Sequence, residues 1–159
     1  MGGPMSVNDR LAWIPKVLRL IRAAVAADIP VLGHCLGGQL LSKALGGRVR
    51  ANREKEFGWL PVARVDSPQT ESWLAGLPPR FEVFHWHGET FSLPAGATHL
   101  LRSRYCRNQA FVLGKNLGLQ CHIEMSTTDK PETAHKAPQL LRARVQSPPH
   151  PSARPARQQ

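Results

Sequence analysis

Leu11, Ile14, Leu18, Ile21 and Val25 recur at spacings of three and four, which marks one face of a helix. Trp13, Val17, Leu20 and Ala24 widen that face, while Lys16, Arg19 and Arg22 mark the wet side. Pro15 fits the first turn, where its missing N–H removes no hydrogen bond. The spacing predicts an end near Asp28, ahead of Pro30. Val31-Leu32-Gly33-His34-Cys35 then reads as a short buried strand. It runs directly into a second helical stretch, Leu36 to Leu45, which Gly46 and Gly47 close. Helix, strand, tight turn and helix are the rhythm of a parallel sheet covered on both faces.

Beyond Gly47 the period changes from about 3.6 to 2. Phe57–Val65, Phe81–Trp86, Ala110–Leu113 and Leu117–His122 read as strands separated by turns with Gly or Pro. A short helix is predicted from Glu71 to Leu77. After about Met125 the pattern stops. Ser126 to Gln159 holds six prolines, and its only large aliphatics are Leu140, Leu141 and Val145. Such a segment buries too little apolar area to offset its ordering entropy. The expectation is one globular domain over residues 1–125 and a disordered Pro/Arg-rich tail over 126–159.

Composition narrows the class. The chain has 159 residues, 42% of them apolar, enough for a single packed core. No apolar run nears the roughly 20 residues of a spanning helix, and Met1-Gly2-Gly3-Pro4 does not open a signal peptide. Three scattered cysteines, Cys35, Cys106 and Cys121, do not form a disulfide scaffold, so a reducing cytoplasm is the default. The net charge of +10 is spread along the chain, with 15 basic against 9 acidic residues over 1–125 and 6 against 2 beyond. The densest basic run, Arg48 to Glu56, is interrupted by carboxylates, and the tail has no aromatic. This reads as a solvated basic surface rather than a nucleic-acid footprint.

The chemistry concentrates at Gly33-His34-Cys35-Leu36-Gly37-Gly38-Gln39. A strand ends at Cys35 and a helix starts at once, with small residues two before and two after. That is a nucleophile elbow with sulfur as the nucleophile. A helix N-terminus favours the thiolate, and the N–H of Leu36 faces the place where an oxyanion would form. A cysteine nucleophile needs a base and a group to hold the base. His122 ends a predicted strand with Glu124 two residues on, and positions two apart in an extended chain project to the same side. His85 and His87 also share a strand face, but no nearby Cys or carboxylate completes a zinc set in the sequence. Cys121 is assigned to the core, and Cys106 to a partly exposed site without a role.

Together these residues resemble the class I glutamine amidotransferases, a Cys-His-Glu family of flavodoxin-like α/β fold. The similarity is carried by Gly2-Gly3-Pro4, the Cys35 elbow, Trp86-His87-Gly88-Glu89, Asn108-Gln109-Ala110-Phe111 and Cys121-His122-Ile123-Glu124. It is strongest to the stand-alone relatives of the glutaminase domain of GMP synthase. The resemblance implies a mostly parallel sheet with helices on both faces and Cys35, His122 and Glu124 as the catalytic set. It further implies an oxyanion hole from the N–H groups of Gly3 and Leu36, and glutamine contacts from Gln39, Gly88 and Glu89. No cofactor or metal is implied. The implied partners are glutamine and a synthetase or acceptor-activating domain on another chain, with no nucleic acid and no membrane.

The pattern departs from the family at both ends. The family's sheet has a strand upstream of the Gly-Gly-Pro loop and a helix after His-x-Glu, so the expectation is an N-terminally incomplete scaffold with an altered C-terminus. A catalytically impaired fragment, a non-catalytic remnant, or another Cys-elbow hydrolase of the same fold remain as alternatives.

Overall fold

The computed structural model describes residues 2–123 and 125. Glu124 and the 126–159 tail expected from composition lie outside the described residues. The elements in order are α1 (Trp13–Ala26), β1 (Leu32–His34), α2 (Leu36–Ala44), β2 (Val49–Arg64), α3 (Pro68–Trp73), β3 (Arg80–Phe91), β4 (Thr98–Arg102), β5 (Ala110–Leu113) and β6 (Asn116–Leu119). Six strands form one sheet in the order β1-β6-β5-β4-β2-β3.

Helices cover both faces of this sheet, as alternation along β5 makes plain. Phe111 joins α1, Leu40, Leu41, Val49 and Phe91 on one face, whereas Ala110 and Val112 join Trp73, Leu74 and Leu77 on the other. Ile14 is the buried anchor of α1, with Val17, Leu18, Ile21 and Val25 half-buried against the same core. Leu20, which the periodicity assigns to the apolar face, is instead exposed. No helix among the described residues is long and apolar enough to cross a membrane.

The class is α/β and flavodoxin-like, and the described sheet is mixed rather than mostly parallel. Only β1 and β6 run parallel; β2/β3, β2/β4, β4/β5 and β5/β6 are antiparallel. Connection length decides this. Leu113 pairs with Asn116 across a two-residue turn in which Gly114 has φ +58°, and so short a link permits only an antiparallel return. β1 reaches β6 across more than 80 residues, enough for a parallel pair.

The short helix lies at Pro68–Trp73 rather than Glu71–Leu77, β3 runs on to Phe91, and two further elements differ more from the periodicity reading. β2 starts at Val49, not Phe57, and most of the basic run lies exposed in its first half, while Glu56 is buried; a register shift lies between Ala51 and Glu56. β4 was not anticipated, since Thr98-His99-Leu100-Leu101-Arg102 does not alternate apolar with polar. At its centre Leu100 and Leu101 are both fully buried.

The contact that places α2 is the seat of its first turn on β6. The amide of Cys35 donates to the carbonyl of Leu119 at 2.9 Å, and a Cβ added at Gly38 would lie 2.2 Å from that same oxygen. Gly33 is equally constrained, since a Cβ there would come within 2.3 Å of the Gly37 carbonyl oxygen. Gly38→Ala therefore lowers the unfolding free energy by about 1–3 kcal/mol, read as a shifted urea midpoint at constant slope. An unshifted midpoint would mean that α2 does not sit on β6 in this way.

Candidate active site

Cys35 links β1 to α2 with φ 53° and ψ −118°, a left-handed conformation that L side chains rarely adopt. The bend turns the thiol away from the strand's own face. Its Sγ donates to the main-chain oxygen of Trp86 at 3.8 Å, and its carbonyl accepts the first bond of α2, from the amide of Gln39 at 3.1 Å. Although Cys35 is 6% exposed, it lines a cavity of about 910 Å³.

That cavity gathers residues distant in the chain. Gly3, Cys35, Leu36, Gln39, Gly88, Glu89 and His122 all line it. His122 follows β6 and is held by an isolated bridge to Phe84, its amide donating to the Phe84 carbonyl at 2.8 Å. The ring of His34 lies 6.0 Å away, centroid to centroid. A Cβ on Gly2 would come within 3.2 Å of the His122 Cε1, so the Gly2-Gly3 loop rests beside the imidazole. The Gln39 amide is oriented by Gln120 Oε1 at 3.2 Å and Glu89 O at 3.5 Å. The Glu89 carboxylate accepts from Ser6 Oγ at 2.9 Å, tying the cavity wall to the loop that follows Gly3. Of the residues singled out in the sequence, Glu124 alone lies outside the described ones.

A buried polar cluster, two of whose members (Glu56 and His87) line the same cavity, escaped the sequence reading. Glu56 Oε2 accepts from Gln109 Nε2 at 2.6 Å and lies 3.0 Å from His87 Nε2 and 3.8 Å from His85 Nδ1. Cys106, expected to be partly exposed, is fully buried. The turn closed by Ser103 folds it inward, with Ser103 Oγ accepting from the Cys106 amide at 3.0 Å. Its Sγ meets Thr90 Oγ1 at 3.1 Å, and burial pushes the thiol up to about 11. Metal-binding atoms of Glu56, His87 and Cys106 lie within 4.8 Å of one another. The carboxylate and thiol that His87 lacked in the sequence are therefore supplied by β2 and by the turn before β5. Strand alternation does place His85 and His87 on one face, but only tertiary structure brings Glu56 and Cys106 to them.

Comparison with known proteins fits this geometry. The family model for "Glutamine amidotransferase class-I" matches residues 1–137, and the chain belongs to that family. It is 39% identical over 129 residues to a GMP synthase [glutamine-hydrolyzing] of Thermomicrobium roseum, spanning 80% of this chain and 23% of that protein. It is 34% identical over 135 residues to one of the GMP synthase [glutamine-hydrolyzing] subunits of Sulfolobus acidocaldarius, spanning 81% of this chain and 67% of that one. The crystal structure of a glutamine amido transferase from Methylobacillus flagellatus superposes with a TM-score of 0.76 at 54% identity, over 79% of this chain and 51% of that chain. The chain thus spans about a quarter of the first of these relatives and about half of the solved structure.

Two outcomes follow. Because the Cys35 conformation strains any side chain, Cys35→Gly is more stable than Cys35→Ala by about 1 kcal/mol or more; equal midpoints in denaturation would contradict the strained bend. The second concerns His85, whose burial drives the imidazole down to about 4, opposed by the charge of Glu56 and aided by that of His87. Between pH 4 and 6.5 the unfolded chain binds a proton there that the folded chain refuses. Stability therefore falls on acidification, by up to roughly 1.4 kcal/mol per pH unit. Denaturation midpoints at pH 7, 6 and 5 measure the slope, which flattens in His85→Gln.

Proposed function

We propose that this chain is a glutaminase-type glutamine amidotransferase domain, comprising residues 1–125, that hydrolyses the side-chain amide of glutamine through a cysteine thioester. The observation that carries the reading is a left-handed cysteine at the N-terminus of α2 sharing one cavity with His122 and the Gly2-Gly3 loop. Cys35, the N-cap of α2, gives its thiol proton to His122. Its sulfur attacks the amide carbon, and the carbonyl electrons move to oxygen. The N–H groups of Gly3 and Leu36 receive that oxyanion. On collapse the C–N bond breaks, and His122 gives the leaving nitrogen its proton, so that ammonia departs and a γ-glutamyl thioester remains. His122 then takes a proton from water, whose oxygen displaces the sulfur as glutamate forms. Glu124 orients His122 in this scheme, and Gln39, Gly88 and Glu89 contact the glutamine.

The ammonia goes to an acceptor activated elsewhere. Both curated relatives are named as GMP synthases, and the Sulfolobus acidocaldarius protein is named as one subunit of such an enzyme. The second name supports a synthetase partner on another chain. The reaction needs no metal or cofactor.

Two measurements on the purified chain test this. Glutamate release from glutamine is expected, falling about 10³-fold or more in Cys35→Ala. A glutamine-like electrophile such as 6-diazo-5-oxo-norleucine is expected to form one adduct, located on Cys35 by mass spectrometry. Folded protein that forms no adduct and releases no glutamate is a non-catalytic remnant. Faster release from peptides than from glutamine would assign another hydrolase.

A further inference from the structure

Free glutamine carries two charges besides the amide it loses, and a glutamine side chain within a peptide carries neither. A site that takes the free amino acid must meet its α-carboxylate with a cation or with N–H donors. Among the described residues that line the cavity there is one lysine, Lys55, and no arginine. The ammonium of Lys55 has no hydrogen bond or ion pair among the described residues. The two carboxylates of the same cavity are engaged elsewhere, Glu56 by Gln109 and Glu89 by Ser6.

A bulge in β2 presents this side chain. Ala51 pairs with Glu89 and Glu56 with His87, so Asn52, Arg53, Glu54 and Lys55 stand opposite Gly88 alone. Bulges of this kind bend a strand and re-aim its side chains. Asn52 Nδ2 fastens the bulge, donating to the carbonyls of Glu54 at 2.7 Å and Tyr105 at 3.1 Å. The Lys55 stem then lies along Gly88, where an added Cβ would be 3.4 Å from its Cγ and 3.5 Å from its Cε. With the stem laid on the wall, the charged head is left to meet a ligand. The span suits glutamine. Cys35 Sγ meets the carbonyl of Trp86, and two residues of strand, roughly 6–7 Å, separate Trp86 from Gly88. Glutamine measures roughly 5 Å from its amide carbon to its α-carboxylate carbon when extended. Laid along β3 from Cys35, it brings that carboxylate alongside Gly88 and the Lys55 stem.

We propose that Lys55 recognises the α-carboxylate of glutamine and so sets the preference of the site for the free amino acid over a glutamine side chain within a peptide. The inference rests on the glutaminase reading and names how that site selects its substrate. Lys55 touches no reacting atom in this assignment. It contributes equally to the bound substrate and to the transition state, so its loss raises KM and leaves kcat in place.

Titration calorimetry tests the assignment without turnover. In the full chain carrying Cys35→Ala, adding Lys55→Met is expected to weaken glutamine binding roughly tenfold, the scale of one charge-assisted hydrogen bond. Adding Lys55→Arg instead keeps a cation and is expected to stay within about threefold. Glutaminamide, the same molecule with a neutral amide in place of its α-carboxylate, is expected to bind with and without Lys55→Met within about twofold. In the chain with Cys35 intact, Lys55→Met is expected to raise the KM for glutamine roughly tenfold, with kcat within about twofold. Because Lys55 faces solvent, the unfolding midpoint stays where it is in each variant. Glutamine binding that changes by less than about twofold in Lys55→Met overturns the proposal. So does an equal loss for glutaminamide, which would make the effect one of shape rather than charge, or a loss confined to kcat. If Cys35→Ala binds glutamine while the parent chain does not hydrolyse it, the glutaminase reading fails, and the comparison of glutamine with glutaminamide still decides the role of Lys55. A chain that binds no glutamine overturns both.

Discussion

The seat of α2 on β6 is the contact on which the rest of the structure depends. One carbonyl, that of Leu119, receives the Cys35 amide and leaves no room for a side chain at Gly38. A main-chain approach this close brings the helix N-terminus over the end of the strand and holds Cys35 in a left-handed bend that a free chain would abandon. The strain persists because α2, which follows the bend, is firmly packed. Leu36, Leu40 and Leu41 are all but inaccessible to solvent, and that burial offsets the cost of the conformation.

Around this seat, two kinds of wall enclose the cavity. One is main chain and carries chemistry through its shape: the Gly2-Gly3 loop, the first turn of α2, and the Trp86 carbonyl that receives the thiol. The other is a side-chain lattice in which Gln39, Gln120, Glu89 and Ser6 hold one another. Beside the lattice stands the buried cluster of Glu56, His85 and His87. Close backbone approach demands glycine, whereas a lattice demands amides and carboxylates. The two walls therefore use different parts of the amino-acid alphabet.

That division explains what was legible in the sequence. The helices and the elbow are local, so the three- and four-residue spacings of α1 and the glycines flanking Cys35 announce them directly. The gathering of Gly3, Gln39, Gly88 and Glu89 around Cys35 was available only through resemblance, because no local pattern links residues that far apart. The first half of β2 was invisible for a different reason: Arg50, Arg53, Glu54 and Lys55 face solvent, and strand patterning needs a buried face to leave its mark. Cys106 and Glu56 were misjudged because their neighbours are set by tertiary structure. The antiparallel direction of β4/β5 and β5/β6 follows from short connections, which the sequence does contain. The helix–strand–helix opening outweighed them.

The pairing of β1 with β6 has a consequence in time. Leu32 meets Leu117 and His34 meets Leu119, so the sulfur at position 35 is set in place by a strand more than 80 residues downstream. Contacts of such separation close late, after loop entropy has been overcome. During synthesis the nascent polypeptide has displayed the elbow sequence for most of its length before the partner strand exists. Until β6 leaves the ribosome, that thiol belongs to an ordinary unfolded cysteine, and its left-handed bend is set only with the closing stretch of the domain.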